Sequence, residues 1–273
     1  SVTVTGNIGR SFGSDRYNLP WFRTSAPSVD VVIPDDATVI GDYMFYGTKV
    51  SSVNLPEGLK AIRYSAFSGC SQLTSIEVPS TVTYISRYAF SDSGLTSLIF
   101  PASATSGFHA FTGSPITSII VTGDISRDFG NDSGSLPWIS TSASTVTVTL
   151  PDDATAIGDC MFLESKASSV TLPEGLERIG RSAFAGCSQL KSLEIPSTVT
   201  FIGSYAFSGC IALTSIEIPS SVTTLMKGAF EDCTGLEFLS VPVNMLPGTE
   251  CFSGITLGEF TITGSCTPRN YSY

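Results

Sequence analysis

A 23-residue repeat constrains this chain more than any other feature of its sequence. Three successive segments within residues 173–242 align almost residue for residue: PEGLERIGRSAFAGCSQLKSLEI, PSTVTFIGSYAFSGCIALTSIEI and PSSVTTLMKGAFEDCTGLEFLSV. A unit of this size is too small to bury its own apolar face, so it must bury that face against a neighbouring unit. The sequence therefore predicts a solenoid of stacked coils.

The same pattern extends over most of the chain. Prolines end strand-like runs at positions 34, 56, 79, 101, 151, 173, 196, 219 and 242, and a Phe follows each of them ten or eleven residues later. Three apolar runs without proline, at 2–5, 119–122 and 260–263, raise the count to about twelve coils. The alternation before Pro79 directs Ile76 and Val78 inward, and Pro79 ends the strand. We predict an α/β-type repeat solenoid that is predominantly β, with one parallel sheet and short 3₁₀ or irregular segments on the opposite face.

A second level of repetition spans about half of the chain. Trp21, Phe45 and Phe67 return 117 positions later as Trp138, Phe162 and Phe184. Two longer units at 5–34 and 122–151 interrupt the array, and their Gly, Asn and Asp residues indicate loops. We expect one domain over residues 1–273, built from duplicated blocks 1–122 and 123–263 with a tail at 264–273.

The charge balance excludes several classes of partner. The net charge of −10 repels nucleic acid and anionic lipid. The sequence contains no run of 18 apolar residues, so membrane insertion is not expected.

Motifs for phosphate binding, histidine metal sites and dithiol chemistry are also missing from the sequence. The single histidine, His109, lies beside an Ala-Phe marker, where a packing role is natural. The chain has no Gly-x-x-x-x-Gly-Lys, no paired-histidine motif and no Cys-x-x-Cys. We therefore predict neither enzymatic activity nor a cofactor.

Two features of the sequence leave alternatives open. Asp35, Asp36 and Asp42 recur 117 positions later, and such groups either cap turns or bind calcium, although no EF-hand spacing is present and we predict no metal site. Four cysteines, at 70, 187, 210 and 233, share one slot of the repeat. They form a column of small buried thiols acting as apolar filler, or a disulfide involves Cys160, Cys251 or Cys266.

The repeat closely resembles that of the BspA-like (Treponema pallidum type) leucine-rich repeat family. Nine positions carry this resemblance, namely Pro196, Val199, Ile202, Ala206, Phe207, Cys210, Leu213, Ile216 and Ile218. The resemblance implies a curved right-handed solenoid and a protein of the surface or secretome of mucosal bacteria and protozoa, some members of which bind fibronectin or fibrinogen. The unit at 101–122 departs from the pattern, because it has Gly113 where the other units have the segment around the cysteine.

The outward strand positions are the best candidate binding surface, because stacking aligns them in a row. The row comprises Val32, Asn54, Glu77, Ile99, Ile120, Thr149, Thr171, Glu194, Glu217, Ser240 and Thr261. This row is either a solvated face or a ligand surface with aromatic anchors from the long units. The candidate ligand-binding residues are Tyr17, Trp21, Trp138, Val32, Glu77, Ile99, Ile120, Glu194 and Glu217.

The predicted function is a non-catalytic adhesion or interaction module, extracellular or on the cell surface, although the chain shows no export signal. Its partner would be a protein of the host matrix or of a neighbouring cell. Two alternatives remain open: a carbohydrate-binding module that uses the long-loop aromatics, and a structural spacer within a larger surface protein.

Overall fold

The computed structural model describes residues 2–3, 8–9, 25–130, 135–243, 245–256 and 259–263. The contacts divide the chain into two compact units. Unit 1 comprises residues 1–125 and 130–151, and unit 2 comprises residues 126–129 and 152–273.

Unit 1 consists of short parallel strands and one turn of helix. Its elements are β1 (Val2–Thr3), β2 (Val29–Val32), β3 (Val39–Ile40), β4 (Val50–Asn54), β5 (Ala61–Ile62), β6 (Ser75–Glu77), β7 (Tyr84–Ile85), β8 (Ser97–Pro101), β9 (Thr105–Ser106), β10 (Ser118–Thr122), α1 (Pro137–Ser140) and β11 (Val146–Thr149).

Unit 2 repeats this arrangement. Its strands are β12 (Ala156–Ile157), β13 (Ala167–Thr171), β14 (Arg178–Ile179), β15 (Phe201–Ile202), β16 (Ser215–Glu217), β17 (Thr224–Leu225), β18 (Phe238–Pro242), β19 (Leu246–Pro247) and β20 (Glu259–Thr263).

The predominantly β parallel solenoid predicted from the repeat is confirmed, and two details differ. The longer strands pair in parallel, as in β6, β8, β10 and β11 of unit 1. The two-residue strands form a second parallel ladder, which runs through β3, β5, β7 and β9 in unit 1 and through β12, β14, β15, β17 and β19 in unit 2. The far side of the coil is therefore more regular than predicted, because its backbone N–H and C=O groups also need partners. Within the described residues nine coils carry this second strand, fewer than the predicted twelve.

A column of stacked phenylalanines fills the core of each unit. In unit 1 the rings of Phe45, Phe67, Phe90 and Phe111 stack at centroid distances of 5.1, 5.2 and 5.4 Å. In unit 2 the column comprises Phe162, Phe184, Phe207, Phe230 and Phe252. All of these rings except that of Phe252 are fully buried, so the Phe of each repeat binds consecutive coils together.

The turn around each core Phe has the same backbone geometry in all nine coils. The residues two before and two after the Phe have positive φ, as Tyr43 (58°) and Gly47 (66°) have around Phe45. The N–H groups of these three residues donate to carbonyl groups of the next coil, at Tyr64, Ala66 and Ser68, over 2.7–2.9 Å. The left-handed backbone of these residues thus directs alternate N–H groups toward the next coil.

The cysteine slot three residues after the Phe is a hydrogen-bonded column. The Cys70 thiol donates to the Phe45 carbonyl of the preceding coil over 2.9 Å, and Cys187, Cys210 and Cys233 make the equivalent contact over 3.0–3.1 Å. Burial raises the pKa of Cys70 to about 11, so its thiol stays a protonated donor.

The predicted column of small buried thiols is confirmed for Cys70, Cys187, Cys210 and Cys233. The thiols are donors and not only apolar filler. Cys160 and Cys251 are free and buried, and Cys266 lies outside the described residues. The unit at 101–122 keeps a small polar residue in the slot, because Ser114 occupies it and donates to the Phe90 carbonyl.

Candidate functional site

The outward face of the longer strands in unit 1 carries two parallel rows of side chains. The first row follows the sheet register from Val32 to Asn54, and from Glu77 through Ile99 and Ile120 to Thr149. These positions alternate with buried ones on each strand, as in β10, where Ile120 lies between buried Ile119 and Val121. Strand alternation therefore places the candidate residues of this unit side by side on one surface.

The second row lies two residues earlier on each strand and consists of hydroxyl groups and one carboxylate. It contains Asp30, Ser52, Ser75, Ser97, Ser118 and Thr147. This row was not predicted from the sequence as part of the site. The period of two that identified the first row was sufficient to find it.

Asp30 is the charged end of the hydroxyl row. Its carboxylate accepts hydrogen bonds from Ser52 over 2.7 Å and from Ser51 over 3.2 Å. These two bonds, that from Ser52 above all, lower the pKa of Asp30 below its usual value, because they favour the ionised form. The carboxylate is therefore held at a fixed position on the surface.

Aliphatic side chains interrupt the polar surface of this face. Val32 is 45% exposed and Ile120 is 44% exposed, while Ile99 between Glu77 and Ile120 is partly exposed. The members of the two rows on β2, β4, β6, β8 and β10 line a shallow concavity of about 590 Å³. Exposed aliphatics within a polar border are typical of interaction surfaces.

The corresponding face of unit 2 also carries carboxylates. Glu194 and Glu217 are exposed there, with Ser169, Thr171, Ser192 and Ser215 around them. Ser240 pairs with Glu217 in the register but is only 2% exposed, so it does not belong to the exposed row predicted from the sequence.

The profile of the family described as the BspA type leucine rich repeat region matches residues 21–132 and 142–272 with six copies. The chain belongs to this family. The resemblance stated from the repeat is therefore confirmed for the BspA-type pattern. A comparison with curated proteins found no matching sequence.

Several solved structures of bacterial leucine-rich repeat proteins are similar to this chain. A leucine-rich repeat protein from Bacteroides ovatus ATCC 8483 is 22% identical over 83% of this chain and 76% of that protein, with a TM-score of 0.38. A leucine rich cell surface protein from Faecalibacterium prausnitzii A2-165 is 22% identical over 97% and 90%, with a TM-score of 0.41. The pneumococcal vaccine antigen PcpA is 20% identical over 89% and 70%, with a TM-score of 0.40. We draw no functional argument from these three likenesses.

Trp138 of this BspA-type chain is not a surface anchor, which corrects the interpretation made from the sequence. The side chain lies in α1 and is fully buried, with its ring edge-on to Phe100 at 5.8 Å. The large apolar ring fills the core of the irregular unit, where the column of repeat phenylalanines has no member. Tyr17 and Trp21 lie outside the described residues.

The single histidine of this BspA-type chain makes contacts within the coil array. The His109 ring contacts the Thr112 hydroxyl through Nδ1 at 3.0 Å and stacks on Tyr88 at 5.4 Å. Within the described residues no three His, Cys, Asp or Glu side chains are close enough to hold a metal ion. The helical segments among these residues lack the length and hydropathy of a membrane span.

Proposed function

We propose that this chain is a non-catalytic interaction module that binds a protein through the outward face of β2, β4, β6, β8 and β10. The observation that carries the proposal is the exposure of Val32, Ile99 and Ile120 beside the ordered hydroxyl row. Apolar side chains at the centre of a polar surface provide the desolvated area that dominates binding energy in protein interfaces.

The backbone of this face suits a rigid recognition surface. The parallel register runs without a shift from β6 through β8 to β10, and the side chains beneath it are buried. A preorganised surface loses little conformational entropy when a partner binds. Serine hydroxyls along the second row can donate to or accept from a partner's main chain.

The proposed location is the cell surface or the extracellular space, as the resemblance to BspA-like proteins implies. The net charge of −10 supports a partner that is not nucleic acid. The carbohydrate alternative based on the long loops loses one of its three aromatic residues, because Trp138 is buried.

The test is a double variant, Ile99→Ser with Ile120→Ser, in surface plasmon resonance against immobilised fibronectin, fibrinogen and other matrix proteins. We expect its Kd to rise by at least about tenfold, because two apolar contacts are lost. The matched control is Thr171→Ser, an outward substitution in unit 2, and thermal melts establish that both proteins fold. Equal affinity of the double variant and the wild type would show that the face is only a solvated surface.

A further inference from the structure

A second surface of unit 1 carries a run of exposed aromatic rings. Tyr64 is 37% exposed, Tyr84 45%, Tyr88 36% and Phe108 58%. They lie on or beside the two-residue strands β5, β7 and β9, and none of them lines the concavity described above. This aromatic stripe, defined as Tyr64, Tyr84, Tyr88 and Phe108, is separate from the proposed protein-binding face.

Two rings of the stripe, Tyr64 and Tyr88, form an ordered column along the coils with Tyr43 and His109. Tyr43 contacts Tyr64 edge-on at 5.3 Å, Tyr64 contacts Tyr88 at 5.7 Å, and Tyr88 stacks on His109 at 5.4 Å. Coil stacking fixes this spacing, since parallel strands lie about 4.8 Å apart. A surface with a regular step along one axis fits a polymer that repeats along the same axis.

Two basic residues lie on the coil segments that carry the stripe. Lys60 and Arg87 are exposed, and the part of the chain that the structure describes provides no ion pair for either. Arg87 is flanked in the coil register by Tyr64 and Phe108. Asp42, one coil before Tyr64 in this register, accepts the backbone N–H of Tyr64 over 3.1 Å. The stripe therefore combines aromatic rings with positive charge in a chain whose net charge is −10.

In unit 2, another side chain covers the aromatic ring at the position equivalent to Tyr84. Phe201 is the equivalent of Tyr84 117 positions later, and Arg178, the equivalent of Ala61, lies over its ring at 4.1 Å. The Lys227 ammonium group pairs with Glu250 at 3.1 Å, and this hydrogen bond raises the pKa of Lys227. Ala61 pairs with Tyr84 in the register but has no side chain long enough to cover its ring.

We infer that the aromatic stripe binds an acidic glycan, with Tyr84 and Tyr88 against the sugar rings and Lys60 and Arg87 on its sulfate or carboxylate groups. Sugar rings offer C–H faces that pack on aromatic rings, and hydroxyl groups that tyrosine O–H can bond. The charge of the stripe is complementary to such a polymer, and positive side chains speed the encounter with it. The opposite sign of the rest of the protein confines that attraction to the stripe.

The experiment measures the affinity of the full chain for heparin, which carries sulfates, and for hyaluronan, which carries only carboxylates, with neutral dextran and single-stranded DNA as comparisons. We expect binding to at least one acidic glycan and none to dextran. Failure to bind both acidic glycans overturns the inference. Equal affinity for single-stranded DNA also overturns it, because the stripe would then recognise any polyanion.

Variants then separate ring contact from charge. Tyr84→Ala should weaken glycan binding by about tenfold and Tyr84→Phe much less, while Phe201→Ala, at the covered equivalent in unit 2, should have no effect. Arg87→Glu should also weaken binding.

The decisive variant is Ala61→Arg, which recreates over Tyr84 the cover that Arg178 provides over Phe201. If the ring face binds sugar, this variant loses affinity although it gains a positive charge. If it gains affinity, charge alone carries the binding and the inference is wrong. Thermal melts establish that each variant is folded. The Ile99→Ser and Ile120→Ser variant serves as a further control, since it should leave glycan binding unchanged.

Discussion

Replacing Gly209, Gly235 and Gly175 by alanine, one at a time, tests why the coils need glycine. At Gly209, φ is +72°, and an added Cβ would lie no closer than 3.7 Å to the neighbouring Gly186. Space is therefore sufficient, and the cost is conformational. The left-handed backbone costs an L-residue about 1–2 kcal/mol, so we expect Gly209→Ala to lower the free energy of unfolding by about 1.5 kcal/mol.

Gly235 has a different reason for being glycine. Its φ is not in the left-handed region, but an added Cβ would overlap the carbonyl oxygen of Ile211 and lie 3.1 Å from the Ile211 carbonyl carbon and 3.3 Å from the Leu213 oxygen. These are backbone atoms of the preceding coil, so no side-chain rotation relieves the overlap. The coils must separate locally, and we expect a loss of about 3 kcal/mol. Gly175 has no atom within 4 Å of such a Cβ, so Gly175→Ala should stay within about 0.5 kcal/mol of the wild type.

The assay is urea denaturation followed by circular dichroism, supported by thermal melts. For a chain of this size the losses correspond to melting temperatures lower by about 3 °C for Gly209→Ala and about 5 °C for Gly235→Ala. The reverse substitution at an equivalent left-handed position, Glu164→Gly (φ 55°), should stabilise the protein by about 0.5 kcal/mol. If Gly209→Ala were as harmless as Gly175→Ala, the left-handed position would carry no cost. If Gly235→Ala were harmless, the close approach of the coils would be wrong.

Three further predictions concern the core and the candidate surface. Cys210→Ser should change the free energy of unfolding by less than about 1 kcal/mol, because serine supplies the same donor, whereas Cys210→Ala should cost about 1–2 kcal/mol in urea denaturation. Trp138→Ala should cost about 3–5 kcal/mol by the same assay, and a neutral result would contradict its burial. In an NMR titration Asp30 should have a midpoint below its usual pKa, and Ser52→Ala should raise it. Because the folded pKa is lowered, the stabilising effect of Asp30 is present above the unfolded pKa and is lost as the pH falls through the folded pKa.

The sequence was informative where one residue type repeats at one position. The Phe markers and the prolines placed the coils, because a buried ring and a missing N–H group have few alternatives. The period of two in the strands gave the outward row in unit 1 from Val32 to Ile120. In this part of the fold, the type of a residue indicates where it lies in the coil.

The sequence was less informative where the backbone imposes a conformation on whatever residue is present. The position two before the core Phe is left-handed in all nine coils, yet it holds residues as different as Tyr43, His109, Cys160 and Glu250. Their conformation follows from the hydrogen bonds between coils, which no residue type reveals. The aromatic stripe was missed for a related reason, since its rings lie on and beside strands of two residues, too short to show a period.

The two proposed surfaces of unit 1 lie on different ladders and share no residue. The aliphatic row belongs to β2, β4, β6, β8 and β10, and the aromatic stripe to the coil segments that carry β5, β7 and β9. Between them lies the core column of stacked phenylalanines, whose members the duplication repeats in unit 2, whereas Ala61 and Tyr64 are replaced there by Arg178 and Arg181. In a solenoid, packing between coils constrains the identity of the inward residues. The outward residues of each coil can change without disturbing the core. It follows that a substitution on one surface should leave the binding of the other intact.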